Sequence, residues 1–354
     1  MTKLYQRYVG FLYLKNFAII FLALEFFYVG IDLITNLKDL PSSANLQLLY
    51  MLFNGMTAVN YALPLSLVFA MIVTKFAMIR SNELICMYSV WVSKSQLIFP
   101  LFVAAILLTA FYIALNMTSF TYAYEYRSNL LKYNRIASIS SDLFLKFEGK
   151  YVYFKELDPI KQEAKEIKIF STNGTELQEI IAAKRGIFFD DNWRLFDVTV
   201  TQKPTVTLLS DKGLSIAYYK ELVTLKGFRP KIIENVHQGK VTLSIPDALD
   251  AIGFFATQGV NINGIKANLY TLILFPLFAP IMVVILFYYL PASGRFFNLA
   301  LLSFGFVFIT LSVWGLLFVL GKLASNSVFL PEIGIALPIL VLAFIAFFLY
   351  RKHR

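Results

Sequence analysis

The residues of this sequence that could perform catalysis are few. Its two histidines, His237 and His353, are far apart in the chain, and the topology derived below puts them on opposite sides of a membrane, which argues against a metal cage or a histidine-based triad. The Ser-Lys-Ser run at 93–95 offers a nucleophile beside a base, but neighbouring helical residues point in different directions and nothing aligns an oxyanion hole. We therefore predict no catalytic residue and no metal site.

A glycine-containing run has some likeness to a nucleotide site. Residues 315–323, GLLFVLGKL, approach the phosphate-binding pattern G-x-x-x-x-G-K-[ST], but they have one residue too many between the glycines and end in Leu323 where a hydroxyl side chain is needed. The run also lies in or beside an apolar span, where no nucleotide could be held. We predict that the chain binds no cofactor and does not hydrolyse ATP.

A short polar and aromatic segment, RSNELICMYSVWVSK at 80–94, separates two long apolar runs. Read as a helix, it places Leu84, Tyr88 and Trp91 on one face, and Glu83 in its first turn suits the helix dipole. One interpretation is an interfacial helix that docks into a groove of a soluble cytoplasmic partner and passes the partner's movement to the adjoining spans. The alternative is a bent extension of a membrane helix whose aromatic side chains rest in the lipid headgroups.

The amino-acid composition predicts that the elements flanking this segment are membrane-spanning helices. Of the 354 residues, 58% are hydrophobic and 15% are charged, and the mean hydropathy is +0.65, whereas soluble proteins are roughly 45–50% apolar and about 25% charged. A bilayer needs about 20 mostly apolar helical residues, and six windows meet that length: 11–31, 55–79, 97–118, 267–290, 297–320 and 333–350. Charges concentrate at the window ends. Within the first window Glu25 is an exception, as either a carboxylate satisfied between helices or a functional group.

Basic residues in the short loops determine the predicted orientation. One side receives most of them, including Arg80, Lys94 and Arg295, whereas the other receives Lys38 and Lys322, each near an acid. Both termini are therefore expected in the cytoplasm, and everything from about 120 to 265 on the far side of the membrane. The formal charge of +10 is spread out rather than forming a block, which suits a surface near anionic lipid better than nucleic-acid binding.

The segment from 120 to 265 differs in character from the spans. Runs such as KYVYFKEL at 150–157 and TVTLLSDKGLSIAYY at 205–219 alternate apolar and polar residues and are broken by turn residues, as antiparallel strands are. Strands without intervening helices favour a sandwich or jelly-roll-like pair of sheets, followed by a short helix at 246–258. Since Cys86 is the only cysteine, this domain should hold together without disulfides. The expected fold class is an α+β membrane protein, with six transmembrane helices (3+3) and an inserted β-jellyroll-like domain.

Four stretches of the sequence, taken in order, point to a known family. They are YALPLSLVFAMIV at 61–73, SNELICMYSVWVSKSQLIFP at 81–100, IAAKRGIFFDDNWRLFDV at 181–198 and LSFGFVF at 302–308. Together they resemble the lipopolysaccharide export permeases LptF and LptG, over essentially the whole chain and with several stretches closer to LptG. One departure is Trp91, which stands where the family's segment usually has a glycine.

The resemblance implies a permease subunit of an ABC-type lipopolysaccharide exporter in the bacterial inner membrane. Such a subunit extracts lipopolysaccharide and passes it to a periplasmic bridge, using ATP hydrolysed by a separate subunit. The implied partners are an LptB-like ATPase dimer, a second permease of the LptF/LptG family, and LptC-like and LptA-like periplasmic proteins. Segment 80–94 would couple to the ATPase through Glu83, Leu84, Tyr88 and Trp91. The expected domains are 1–119 with spans 1–3, 120–265 with the periplasmic β domain, and 266–354 with spans 4–6.

An anionic lipid headgroup would need a basic rim around a cavity lined by Phe, Leu and Ile. The candidates for that rim are Lys38, Arg127, Lys132 and Arg135. Arg127 matches a basic position of the family, and the other three are inferred from their location beside the spans. A solvated helix end attracted to anionic lipid competes with this interpretation for all four. Asp32, which precedes Lys38, weakens the case for phosphate binding at that end.

A function of another class is also compatible with the sequence. A mechanotransmitting or sensor protein would bind a periplasmic protein with its β domain and signal to a cytoplasmic partner without moving lipid. Apolar residues lining a cavity between subunits would favour transport, whereas a well-packed bundle without an opening would favour signalling.

Overall fold

The computed structural model describes residues 3–134, 140–159, 161–173, 176–204, 213–230, 242–256, 262–293, 295 and 298–352. The chain divides into two compact units, one formed by Met1–Arg127 with Ser244–Arg354 and the other by Ser128–Leu243. The first unit contains the apolar helices and the second contains the sheet. The division therefore falls inside the predicted insertion of 120–265.

The helices carry the six expected spans. In chain order they are α1 (Leu4–Thr35), α2 (Ala44–Arg80), α3 (Glu83–Ser89), α4 (Lys94–Leu115), α5 (Ala123–Tyr133), α6 (Ile245–Ala256), α7 (Asn263–Ile273), α8 (Phe278–Tyr289), α9 (Leu299–Ser325) and α10 (Leu337–Lys352). Six segments are long and apolar enough to cross a bilayer: Leu4–Thr35, Ala44–Arg80, Lys94–Leu115, Asn263–Tyr289, Leu299–Ser325 and Glu332–Lys352. The predicted membrane helices are thus confirmed, and the helix expected at 246–258 is α6.

The fourth span is divided into two helices. Between the end of α7 at Ile273 and the start of α8 at Phe278 lies a 3₁₀ turn, Phe275–Leu277, which contains Pro276. Proline lacks an N–H and its ring clashes with the preceding turn, so a regular α-helix breaks there. α7 packs against α6 and α9, whereas α8 packs chiefly against α2, α4 and α10. The two halves of this span therefore have different neighbours.

The core of the first unit forms around the middle of α2. Tyr13, Leu67, Met71 and Phe278 are fully buried there, and the Tyr13 hydroxyl donates a hydrogen bond to the Leu67 carbonyl (3.0 Å). By contrast, no residue in the most apolar stretch of α1 is buried. A large apolar surface of this kind is suited to lipid or to another membrane subunit.

The strands of the second unit form one antiparallel sheet. They are β1 (Ser140–Phe147), β2 (Lys150–Asp158), β3 (Glu163–Asn173), β4 (Glu176–Phe189), β5 (Asn192–Gln202) and β6 (Ser215–Thr224), each paired with the next. The α+β class with an inserted sheet is confirmed. Within the described residues, however, the strands make a single meander rather than the expected pair of sheets. Alternation along a strand reports which residues share a face, and a meander and a jelly roll produce the same alternation.

The sheet is held by an aromatic core on one face. Trp193 is fully buried, its ring centroid lies 5.2 Å from that of Phe154, and its indole N–H donates to the Phe228 carbonyl (2.7 Å). A Cβ atom on Gly186 would lie 2.4 Å from Cδ1 of Ile167. Close packing of this face therefore requires glycine in the middle of β4.

Candidate functional site

The helix in segment 80–94 is shorter than predicted. α3 spans only Glu83–Ser89, and Asn82, immediately before it, has a left-handed backbone with φ +59°. Asparagine is one of the few residues besides glycine that tolerate this conformation. The chain can therefore turn sharply out of α2, which ends at Arg80. Glu83 lies in the first turn of α3, as predicted.

Two of the four predicted coupling residues, Glu83 and Leu84, hold α3 against other helices of the same chain. Leu84 is fully buried in the core of the first unit. The carboxylate of Glu83 accepts a hydrogen bond from the Tyr8 hydroxyl of α1, with an O···O distance of 3.1 Å. α3 thus contacts α1 through Glu83 and packs against α2, so a displacement of α3 would act on both spans.

Tyr88 packs its ring against the bundle from α3. Its hydroxyl is buried and has no hydrogen-bond partner among the residues that the structure describes. Burial raises the pKa of Tyr88 to about 12, and the nearby Tyr288 acts in the same direction. Because an unpaired buried hydroxyl costs about 1–3 kcal/mol, the aromatic ring rather than the hydroxyl holds this side of α3 in place.

Trp91 lies beyond the end of α3, which differs from the prediction that it shares a helical face with Leu84 and Tyr88. The Trp91 N–H donates to the Tyr88 carbonyl and the Val92 N–H to the Met87 carbonyl, both at 3.1 Å, which is the bonding of a Schellman cap. Such a cap needs a left-handed residue, and Trp91 has φ +64° with 95% of its side chain exposed. Glycine adopts this conformation without strain, which gives a physical reason for the glycine expected here.

Asp32, near the other end of α1, forms a mostly buried ion pair with Arg127 of α5. Nη2 of Arg127 lies 3.2 Å from Oδ1 of Asp32, and both side chains are 14% exposed. Nη1 of Arg127 donates to Oδ1 of Asn54 on α2 (3.2 Å). The alternative of a solvated helix-end charge is therefore wrong for Arg127. Its role in binding substrate stays a prediction, with the added condition that Asp32 already occupies the guanidinium.

Further polar and aromatic groups surround this ion pair. The Tyr50 hydroxyl donates to the second carboxylate oxygen of Asp32, and the Tyr124 ring centroid lies 5.5 Å from the Arg127 guanidinium. Nε of Arg127 and Nδ2 of Asn54 are buried and have no hydrogen-bond partner in the described part of the chain. Two donors thus remain available in a site from which water is largely excluded.

The other predicted basic residues do not join this network. Lys38 is exposed in the turn that follows α1, and Lys132 is exposed on α5. Neither forms an ion pair with another described residue. Arg135 lies outside the described residues. The predicted substrate-binding roles of these three side chains stay predictions.

An apolar cavity of about 320 Å³ opens between α1 and α2 beside this ion pair. Its walls include Phe27 and Ile31 of α1 and Tyr61 and Leu65 of α2, and Asp32 also lines it. A hydrophobic cavity with a few polar groups at one end is typical of a site for an amphiphilic ligand. The arrangement is suited to holding an acyl chain, with its polar end near Asp32, the ion-pair partner of Arg127.

Glu25 projects from the face of α1 that also carries Tyr28 and Asp32, three and seven residues further along. One of its carboxylate oxygens is buried and lacks a hydrogen-bond partner among the described residues. Within a single chain, therefore, the interpretation that neighbouring helices satisfy this carboxylate is not supported. Tyr28 stacks on Tyr61, with ring centroids 6.0 Å apart.

The two segments that lead into and out of the second unit are bound to each other. The Tyr122 hydroxyl donates to the carboxylate of Asp247 and accepts from the Ser244 N–H (3.2 Å). The Ile245 N–H donates to the Asn116 carbonyl (3.1 Å). Burial and the hydrogen bond to Asp247 raise the pKa of Tyr122. These contacts link the start and the end of the insertion, a pairing that no local sequence signal indicates.

Sequence reasoning also missed Lys75, which lies inside an apolar window of α2. This residue is 2% exposed, and its ammonium donates to the main-chain carbonyls of Phe287 and Leu290 at the end of α8. The only signal in the sequence is a lone charge within an otherwise apolar run, as for Glu25.

A comparison with models of protein families places the chain in a known family. Residues 7–352 match the family described as "Lipopolysaccharide export system permease LptF/LptG". The matched region includes all six spans and the inserted sheet, and it does not distinguish LptF from LptG. Comparison with curated proteins gave no match.

Proposed function

Because the chain belongs to the lipopolysaccharide export system permease family LptF/LptG, we propose that it extracts lipopolysaccharide from the inner membrane and passes it to a periplasmic protein bridge. Family membership makes it a multi-pass permease component rather than an enzyme. ATP would be hydrolysed by a separate LptB-like dimer, and a second LptF/LptG permease would complete the membrane part of the exporter. The observation that carries the proposal is the match across residues 7–352, nearly the whole chain.

We propose α3 as the element on which the ATPase acts. The helix and its cap expose Ile85 (44%), Val90 (68%) and Trp91 (95%), while Leu84 is buried in the bundle. A short helix with an apolar exposed face is suited to docking into a groove of a partner. Movement of the partner would then reach α1 through Glu83 and α2 through the direct chain connection.

The cavity beside the Asp32–Arg127 ion pair supports transport of an amphiphile over signalling. An acyl chain would occupy the apolar wall, and headgroup phosphates would approach the guanidinium. Since Asp32 neutralises Arg127 in this structure, a phosphate must compete with the carboxylate for the same donors. We infer that the ion pair is exchanged for substrate when the cavity is loaded. The exposed apolar surface of α1 would contact lipid or the second permease.

The inserted sheet would form the periplasmic contact of the permease. Among the described strands, β6 pairs only with β5, and it exposes Ile216 (51%), Tyr218 (79%) and Tyr219 (50%). An edge strand with unpaired backbone groups is a template for strand addition. LptC-like and LptA-like proteins, whose sheets would continue the path of the lipid, are the proposed partners at this edge.

The docking role of α3 can be tested by separating the proposed contact of Glu83 with the ATPase from its hydrogen bond with Tyr8. Glu83→Ala removes the carboxylate altogether, whereas Tyr8→Phe removes only its internal hydrogen bond. If the ATPase binds the carboxylate, Glu83→Ala should weaken copurification of the ATPase about tenfold or more, the equivalent of one charge-assisted hydrogen bond. Tyr8→Phe should retain both binding and stimulated hydrolysis. Equal losses in the two variants would instead assign Glu83 to the folding of the permease.

A further inference from the structure

Lys75 makes contacts that packing alone does not require. Its ammonium donates to the Leu290 carbonyl at 2.7 Å and to the Phe287 carbonyl, and it lies 4.3 Å from the centroid of the Phe287 ring. The residue is 2% exposed. A buried cation thus contacts the carbonyl groups at the C-terminal end of one helix, α8.

The charge of Lys75 is met by carbonyl dipoles and one aromatic face. No acidic side chain in the described residues forms an ion pair with it. Carbonyls that end a helix carry partial negative charge and attract a cation, but an unpaired buried ammonium remains expensive. An apolar residue of similar length would fill the same space at a lower desolvation cost. The presence of lysine therefore indicates a function for the contact between α2 and the end of α8.

This contact joins α2, the helix before α3, to α8, the second half of the fourth span. Lys75 lies near the end of α2, which runs to Arg80 just before α3. α8 begins after the 3₁₀ turn that interrupts the fourth span, and its end is contacted a second time by Ser95 of α4, whose hydroxyl lies 3.2 Å from that of Tyr288. The segments that flank α3 on both sides thus hold the last turn of α8.

We propose that Lys75 is a positioning residue that transmits displacement of α3 to α8, and through the break at 275–277 to α7 and α6. The inference rests on the proposed function, because it assumes that an ATPase displaces α3. α8 moves with α2 and α4 as one body, and the proline-containing turn connects its movement to α7. Lys75 is the charged contact that keeps the end of α8 attached to α2 during this movement.

The test uses the complete exporter in proteoliposomes, with lipopolysaccharide release and ATP hydrolysis measured on the same sample. Lys75→Met removes the charge and keeps the length, and Lys15→Met is the control, since Lys15 is an exposed lysine within α1. Allosteric couplings of ordinary size are worth about 5–150-fold, so Lys75→Met should lower lipid released per ATP hydrolysed at least about fivefold. Lys75→Arg, which keeps a cation, should recover part of the loss, and Lys15→Met should match the wild type.

A second readout follows the relay without relying on transport. Amide hydrogen exchange of residues 286–290 should change when ATP is added to the wild-type complex, and in Lys75→Met the change should stay within α3. The proposal is overturned if Lys75→Met keeps the wild-type ratio of release to hydrolysis, or if exchange at the end of α8 responds to ATP equally in both proteins. If the wild-type complex hydrolyses ATP but releases no lipopolysaccharide, the proposed function fails. The exchange measurement then still shows whether Lys75 transmits displacement of α3 to α8.

Discussion

Replacing Asp32 by Asn should leave Arg127 as a mostly buried cation without its anion. Both side chains are 14% exposed and their charged atoms lie 3.2 Å apart. Removing one member of a buried ion pair costs about 3–5 kcal/mol. We expect the lower end, about 3 kcal/mol, because Arg127 keeps its hydrogen bond to Asn54 and its contact with the Tyr124 ring. The single oxygen of the new amide can still accept from the Tyr50 hydroxyl, which leaves its NH2 group facing the guanidinium, so the loss combines the missing charge with the missing acceptor for Arg127.

The assay is the free energy of unfolding of the purified protein in mixed micelles, measured by denaturant titration. Arg127→Gln should lose a similar amount, and the double variant no more than either single variant, because neither charge is then left unpaired. The control is the exposed pair Lys266–Glu332 in the same unit, 3.2 Å apart and 34% and 46% exposed. Lys266→Gln should cost only about 0–1 kcal/mol. Losses that add in the double variant, or a loss for Asp32→Asn no larger than the control, would show that the two charges do not stabilise the fold as a pair.

Two further predictions concern backbone and packing. Trp91→Gly should stabilise the end of α3 by about 1 kcal/mol, since a left-handed residue with a Cβ is strained, and it should slow amide exchange in α3; faster exchange would contradict a strained φ of +64°. Gly186→Ala should lower the free energy of unfolding of the sheet by about 1–3 kcal/mol, because the new Cβ would lie 2.4 Å from Cδ1 of Ile167. Unchanged exchange in β4 would show that the sheet absorbs the methyl group.

The elements that depend on one stretch of chain were predictable from the sequence. A span requires only enough consecutive apolar residues, so composition located all six. Alternation located strands such as β2, in which Val152 and Phe154 are buried two residues apart. α3 was located because Glu83 and its neighbours interrupt two apolar runs, although its end was not, since the left-handed backbone at Trp91 stops the helix early.

Pairings between distant residues were not predictable from local patterns. The residues next to Asp32 in the sequence do not indicate that Arg127 forms an ion pair with it. Likewise, the residues next to Lys75 do not indicate that its ammonium donates to the carbonyl of Leu290. Both contacts depend on how helices pack, and hydrophobic periodicity describes only which face is apolar. For the same reason a pair of sheets was expected where the described strands form one meander, because alternation does not say which strands are neighbours.

The most direct test of lipopolysaccharide transport by this chain is ATP-dependent release. Proteoliposomes containing this chain, the second permease and the ATPase would be mixed with a soluble periplasmic acceptor, and lipopolysaccharide bound to that acceptor would be measured with and without ATP. We predict that transfer requires ATP and this chain together, and that phospholipid from the same vesicles is not transferred. ATP hydrolysis that responds to the permease while no lipopolysaccharide reaches the acceptor would contradict transport and favour a signalling role.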